Sequence, residues 1–314
     1  MTDALRLNRT AVGYAGPAAT AAVGAMLIAV GIAGLTTNHG STTAPRVAVS
    51  QPASTPAPVT ATPHVIISPD ALAYPSSGTY VLAGSNGRVY APADAGLDRA
   101  THAGRIVGGA TAANGGVWLV NRDGVVTGLH VGVRGSMPLK RGAARVVGIA
   151  PAAFGRGYRI VTADGHTFTV GAPKRGGLGR TRLAAPVVGI AAAAKDGYWI
   201  ALANGHVYGF GAPDRGGAAL ARSAAPVVGI ASSLDGRGYW LATADGHVYA
   251  FGVPANGDPA RTHFSARVVG IAAAPNDGFW LVTADGRVYP FGAPQLGKNV
   301  NLPAHGAVTA IIPN

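Results

Sequence analysis

The sequence predicts an all-β fold, a β-propeller with six blades as the first count and seven as the alternative. Three observations lead there: a unit of about 40 residues that recurs along the chain, a turn signal at a fixed place in each unit, and a composition poor in helix formers.

The repeat carries two independent markers. Turn glycines fall at Gly87, Gly124, Gly165, Gly205, Gly246 and Gly286, spaced by 37, 41, 40, 41 and 40 residues. A second series, Gly108, Gly148, Gly189, Gly229 and Gly270, steps by 40, 41, 40 and 41. A shared period in this range signals a propeller, a solenoid or an array. Each unit reads VVGIA, then GYWLA, then HVYAFG, as in Val187–Ala191, Gly238–Ala242 and His247–Gly252. These segments are apolar, β-rich and too short for a stable helix.

The second and third segments are joined by Asp164-Gly165, Asn204-Gly205, Asp245-Gly246 or Asp285-Gly286. Such pairs suit the positive φ values of a two-residue hairpin turn, so the repeated Asp is read as a turn residue. Three strands, with room for a fourth in the variable loop, make a sheet apolar on both faces. A ring of such sheets buries both faces of each; an open solenoid is the rival. Six hairpins are accompanied by seven inner-strand-like segments, the extra ones being Val65-Ile66-Ile67 and Val308–Ile312 at the two ends. One terminal strand is expected to complete the blade begun at the other end, and a composite seventh blade is the alternative.

Composition agrees. The 314 residues include 47 Gly, 22 Pro, 13 Asp and no Glu, and Glu is both a strong helix former and a helix cap partner. There is no Cys, which excludes disulfides, thiolate metal sites and cysteine nucleophiles. The net charge of +12 predicts an anionic partner, such as a phospholipid surface or an acidic envelope polymer. Of the 25 basic residues 21 are Arg, which a GC-rich genome would also produce.

Ahead of the repeats lie three further segments. Residues 10–45 carry no Asp, Glu, Lys or Arg, and Pro17–Leu35 is a near-continuous apolar run. At about 1.5 Å per residue it matches the ~30 Å of a bilayer's hydrocarbon core. Arg6 and Arg9 precede it, which places residues 1–16 in the cytoplasm and the remainder outside. A signal peptide cleaved near Gly31-Ile32-Ala33, giving a secreted protein, is the alternative. Residues 36–63, rich in Thr and Pro, read as a semi-extended linker to the repeat domain, 64–314.

The units resemble two known groups. Val187-Val188-Gly189-Ile190-Ala191 and Gly205-His206-Val207-Tyr208-Gly209-Phe210-Gly211 match the rhythm of regulator-of-chromosome-condensation-like repeats. Gly238-Tyr239-Trp240-Leu241 with Asp245–Gly252 is similar to a tandem "GYWLV..DG.V.AFG" repeat of exported actinobacterial proteins. The resemblance covers residues 64–314 and implies a propeller that acts mainly by binding proteins.

Catalytic motifs are scarce. Glycosidases commonly use a Glu acid, and this chain has none. No G-x-S-x-G, P-loop or dinucleotide fingerprint occurs. His166, His206 and His247, with Arg88 and Arg287, share the slot after the turn glycine; sites on separate blades do not converge as metal ligands must. Trp118, Trp199, Trp240 and Trp280 share one slot, read as inter-blade core, with Tyr80 and Arg159 expected to replace Trp in two units.

The expectation is a monomeric, non-enzymatic module without cofactor that binds a protein or anionic envelope partner; an exported hydrolase with a site assembled from several blades is the rival. Nucleic acid is not an expected partner of an extracytoplasmic chain. The expected binding surface is a basic sector on the second and third units: Arg134, Lys140, Arg141 and Arg145, then Arg159, Lys174, Arg175, Arg180 and Arg182. Apart from Arg159, these lie in two loops with no acid, and like charges within about 8 Å reinforce one another.

Overall fold

A computed structural model describes residues 64–65, 78–91, 104–136, 139–140, 142–152, 155–179, 181–218, 225–257, 259–296 and 307–313. The apolar run 17–35 and the linker 36–63 lie outside these residues, as do Arg141 and Arg180. Among the described residues no helix is long and apolar enough to cross a membrane.

Among the described residues the fold is all-β and consists of six small sheets, antiparallel apart from one added parallel strand. Within each unit the VVGIA segment pairs with the GYWLA segment, which pairs with the VYAF segment. In the fifth unit these are β13 (Val227–Ser232), β14 (Tyr239–Thr243) and β15 (Val248–Phe251). Units two, three, four and six repeat the pattern, with first strands β4 (Ile106–Thr111), β7 (Val146–Pro151), β10 (Val187–Ala193) and β16 (Val268–Ala273). The first unit supplies only β2 (Tyr80–Gly84) and β3 (Val89–Tyr90), and the C-terminal β19 (Val308–Pro313) completes it. Each first strand touches the next around the molecule, from β4 through β16 to β19 and back to β4. The ring of inner strands is closed, and there are six blades.

The variable loops add no fourth strand among their described parts. The N-terminal segment departs from expectation. Instead of adding to a blade's edge as a VVGIA equivalent, the backbone of β1 (His64–Val65) pairs in parallel with β13, beside Gly229 and Ile230. It lies near the inner strands of all six blades, on the axis. The reason is edge availability: each inner strand's outward edge is already paired with its middle strand, and blade 1 is filled by β19.

Inner and middle strands are buried along their whole length, because each blade is covered by a neighbour on both faces. At four of the six seams between blades an aromatic pair is packed. Trp118 packs on Tyr158 of the next blade at 5.1 Å, Trp199 on Tyr239 at 4.9 Å, Trp240 on Phe279 at 5.7 Å and Trp280 on Tyr80 at 5.3 Å. This bears out the core reading of the Trp slot and corrects its register in the first unit. Tyr80 pairs opposite Pro313 as Tyr239 does opposite Ser232, so it occupies the Tyr slot, and Val81 is the Trp equivalent. Burial pushes the Tyr80 phenol up to about 12.

The hairpins also need a correction. In the third unit the Thr162 N–H donates to His166 O and the Gly165 N–H to Thr162 O, enclosing three residues rather than two. Only the glycine takes a positive φ, +88° at Gly165 and +96° at Gly246. This is a type I turn followed by a glycine bulge, which leaves Asp164 in ordinary backbone space.

Candidate functional site

The ring of blades has two faces. One, the turn face, carries the Asp-Gly turns and the starts of the inner strands. The other carries the loops between inner and middle strands. There, at the seam of blades 2 and 3, lies a cleft of about 360 Å³. Its walls are Ala112, Ala113 and Asn114 from the inner–middle loop of blade 2, Trp118 from β5 (Val117–Asn121), the segment Val131–Arg134, and Gly155 from blade 3.

The cleft arises where the repeat fails. In blades 3 to 6 the outer strand ends in a glycine with left-handed backbone: Gly171, Gly211, Gly252 and Gly292, at φ +59° to +69°. Two residues on, a Pro carbonyl accepts the indole N–H of the same blade's Trp: Pro213 from Trp199, Pro254 from Trp240 and Pro294 from Trp280, all at 2.9 Å. Blade 2 has Leu129-His130-Val131-Gly132 instead. His130 takes the left-handed conformation (φ +54°) without being glycine, and Trp118 donates to Gly132 O at 3.1 Å. Asn114 steadies this variant: its amide donates to His130 O at 3.1 Å and accepts from the Gly116 N–H at 3.1 Å. Val133 is left 43% exposed at the rim.

The basic residues expected to form one sector divide between the two faces. Each connection starts on the cleft face and crosses the outside of the ring to the turn face. Arg134, Lys174 and Arg175 therefore lie on the cleft face, near Gly135 and Gly176, whose carbonyls accept the Tyr158 and Tyr198 hydroxyls. Lys140, Arg145 and Arg182 lie on the turn face. Leu139 donates its N–H to Asp123 O, Ala163 to Arg145 O and Leu178 to Gly165 O, which ties those stretches to the turns. There Arg145 joins Arg105 and Arg267 at equivalent inner-strand starts, and partial burial, then the charges of Arg267 and Arg145, hold the Arg105 guanidinium below its ordinary value.

Arg159 is not a surface residue. Its side chain is fully buried, with Nη2 2.8 Å from Asp196 Oδ1 and the guanidinium 5.1 Å from the centre of the Tyr198 ring. It also donates to Pro173 O at 3.2 Å, which is the carbonyl a Trp would use. Arg159 thus reproduces the Trp slot's hydrogen bond and its stacking on the next blade's Tyr, and it cannot meet a polyanion.

Two of the cleft-face arginines have structural work. Arg175 lies against Gly211 of the next blade and donates to Lys195 O at 3.4 Å; Arg215 lies against Gly252 and donates to Arg237 O at 2.9 Å. In blade 5, Asn256 does the same to Asp277 O at 2.8 Å. Arg134 is the equivalent on blade 2 and packs its stem on Gly171, but its guanidinium makes no hydrogen bond or ion pair among the described residues. The cleft itself was missed by motif reading; the signal available was the broken FG-x-P at residues 129–132.

The slot after the turn glycine is a surface slot. His166 and His247 are each 54% exposed and lie 3.1 and 3.2 Å from Asp164 and Asp245 of their own turns. Among the described residues no group of three His, Asp or Glu comes together as a metal site.

No family model matches the chain, and no curated protein does. Solved structures do. A chain from the crystal structure of a nidogen–laminin complex is similar with a TM-score of 0.53 and 11% identity, covering 74% of this chain and 97% of that one. YCF48 from Cyanidioschyzon merolae aligns with a TM-score of 0.42 and 13% identity, covering 73% of this chain and 86% of that one. At such identities the first likeness speaks for the fold.

Proposed function

We propose that the chain is a membrane-anchored, extracytoplasmic β-propeller that serves as a non-catalytic binding or scaffold module, with the cleft of blades 2 and 3 as its docking point. The observation that carries this reading is the coincidence of the cleft with the place where the repeat breaks down. At the seams of blades 4–5, 5–6 and 6–1 a Trp packs on the next blade's Tyr or Phe and its indole is tied to a Pro carbonyl, and at the seam of blades 3 and 4 Arg159 takes the Trp's place; here an opening, an exposed Val133 and a cation are kept together. The polar groups at the cleft favour binding over catalysis. Asn114 spends its amide on backbone groups, and an Arg is neither nucleophile nor general base at neutral pH. The similar chain from a nidogen–laminin complex is in keeping with a protein partner. The uncharged Pro17–Leu35 run supports the anchor.

The test is made in intact cells. Full-length protein should fractionate with membranes, resist salt extraction and lose its repeat domain to external protease. A photo-crosslinking residue at Val133 should trap a partner that the same group at Tyr208, on blade 4, does not. A mature N-terminus near Ala33 would replace anchorage by secretion. Equal trapping at both positions would remove the cleft from the reading.

A further inference from the structure

The cleft's chemistry narrows the class of its occupant. Arg134 stands at a position where the equivalent arginines are committed. Arg175 and Arg215 each extend across a seam, cover a left-handed glycine of the next blade and give an N–H to a loop carbonyl there. Arg134 covers Gly171 in the same way, yet its guanidinium has no partner among the described residues, is exposed, and borders the cleft. A guanidinium presents a rigid fork of donors that matches a carboxylate.

Charge around the cleft points the same way. On the cleft face of blades 2 and 3 the described charged residues besides the buried Arg159 are Arg134, Arg156, Lys174 and Arg175, with no acid. The described acids of this face, Asp196, Asp214, Asp235 and Asp277, belong to blades 4 to 6, and Asp196 is neutralised by Arg159. Behind the cation the cleft is apolar, walled by Ala112, Ala113, Val131 and Val133. A volume of about 360 Å³ suits one or two side chains rather than a folded element.

On this reading of the cleft as a docking point, we infer that it takes an extended acidic segment of a protein partner, inserting an aliphatic side chain against Val131 and Val133 while a neighbouring carboxylate pairs with Arg134. An acidic polysaccharide offers the carboxylate but has no apolar group for the walls, so the peptide is the better fit.

The experiment uses purified full-length protein in detergent micelles and a fluorescent peptide of sequence Gly-Leu-Glu-Leu-Glu-Gly. Its controls are the same peptide with Gln for Glu, the same with Ser for Leu, and polygalacturonate. The acidic-aliphatic peptide should bind; the Gln peptide should bind about two- to fivefold more weakly, the range an exposed ion pair supports, and the Ser peptide should also bind more weakly, having lost the aliphatic group for the walls. Arg134→Gln should erase the preference for Glu over Gln, Arg134→Lys should keep part of it, and Arg215→Gln should leave it intact. Val133→Asp, at an exposed position, should abolish binding even if Arg134→Gln proves unstable. Equal binding of the Glu and Gln peptides, no binding of any peptide, or polygalacturonate binding that alone depends on Arg134 overturns the inference. A partner trapped at Val133 in cells without acidic preference in vitro would overturn it while leaving the docking role standing.

Discussion

Arg159 shows how one side chain can depart from a repeat and still satisfy it. A Trp at this slot supplies a flat group over the next blade's Tyr and one N–H for a carbonyl 14 residues on. Arg supplies both, through its stacking on Tyr198 and its bond to Pro173 O, but adds a charge that must be matched. Asp196 matches it from the next blade. Removing one partner of a buried pair leaves the other uncompensated, so Arg159→Ala should destabilise by about 3–5 kcal/mol in urea titration. Restoring the repeat with Arg159→Trp together with Asp196→Asn should return stability to within about 1 kcal/mol of the parent, because ion pairs can be replaced by apolar packing of similar volume. A parental midpoint for Arg159→Ala would mean that the pair contributes no net stability.

The hairpin and the seam clasp are the recurring elements. In the hairpins of units 3, 5 and 6 a Thr hydroxyl donates to the turn Asp: Thr162 to Asp164, Thr243 to Asp245 and Thr283 to Asp285. Partial burial opposes the charge on each carboxylate, but these hydrogen bonds, helped by His166 at Asp164, by His247 at Asp245, and at Asp285 by Ser265 ahead of Thr283 and the Arg287 N–H, hold all three below the ordinary Asp value. A depressed folded-state pKa stabilises above the unfolded value of about 3.9 and is lost as pH falls through the folded value. The melting temperature should therefore drop below about pH 4. Replacing Asp164, Asp245 and Asp285 by Asn should flatten that limb while lowering the melting temperature at pH 7. An unchanged acid limb would mean that other carboxylates govern it. The clasps predict a second effect. Arg215→Ala should cost about 1 kcal/mol for its carbonyl bond. Gly252→Ala should cost at least as much, since its φ is +69° and a Cβ would come within 3.2 Å of Arg215.

At the level of the whole ring, stability depends on its ends meeting. The seam between blades 1 and 2 lacks the Trp–Tyr contact, having Val81 and Val117 instead. It is compensated by hydrogen bonds and shape. Thr309 donates to Ile106 O at 2.8 Å and can also reach Ala83 O at 3.1 Å, and Thr111 donates to Pro313 O. Gly109 leaves room for Ile312, whose side chain would lie 2.6 Å from a Cβ there. Deleting Ala307–Asn314 removes the buried Val308, Ile311 and Ile312, worth roughly 5–9 kcal/mol together. The melting temperature should fall by roughly 10–30 °C. A synthetic peptide spanning residues 304–314 should restore it with increasing concentration. A truncated protein that melts like the parent would show that β19 does not hold the ring shut.

Much of this architecture follows from short-range rules that the chain states openly. Period, turn glycines and apolar five-residue segments specify three strands per blade, and the surplus Val308–Ile312 segment specifies closure, because these depend on local backbone preference and on apolar surface that must be covered. What the tertiary structure alone decided depends on which surface each residue meets after the ring closes. Tyr80 looked like a Trp replacement until pairing with Pro313 set its register. Val65 looked like a blade strand until the inner strands left it only the axis. Lys140 and Arg134 sit six residues apart yet face opposite ways, because the connection between them crosses the thickness of a blade. Arg159 looked like part of a binding surface and is sealed beneath Asp196. In each case spacing along the chain reports what a residue's backbone does, whereas exposure and partnership are set by a neighbouring blade about 40 residues away, which no local pattern encodes.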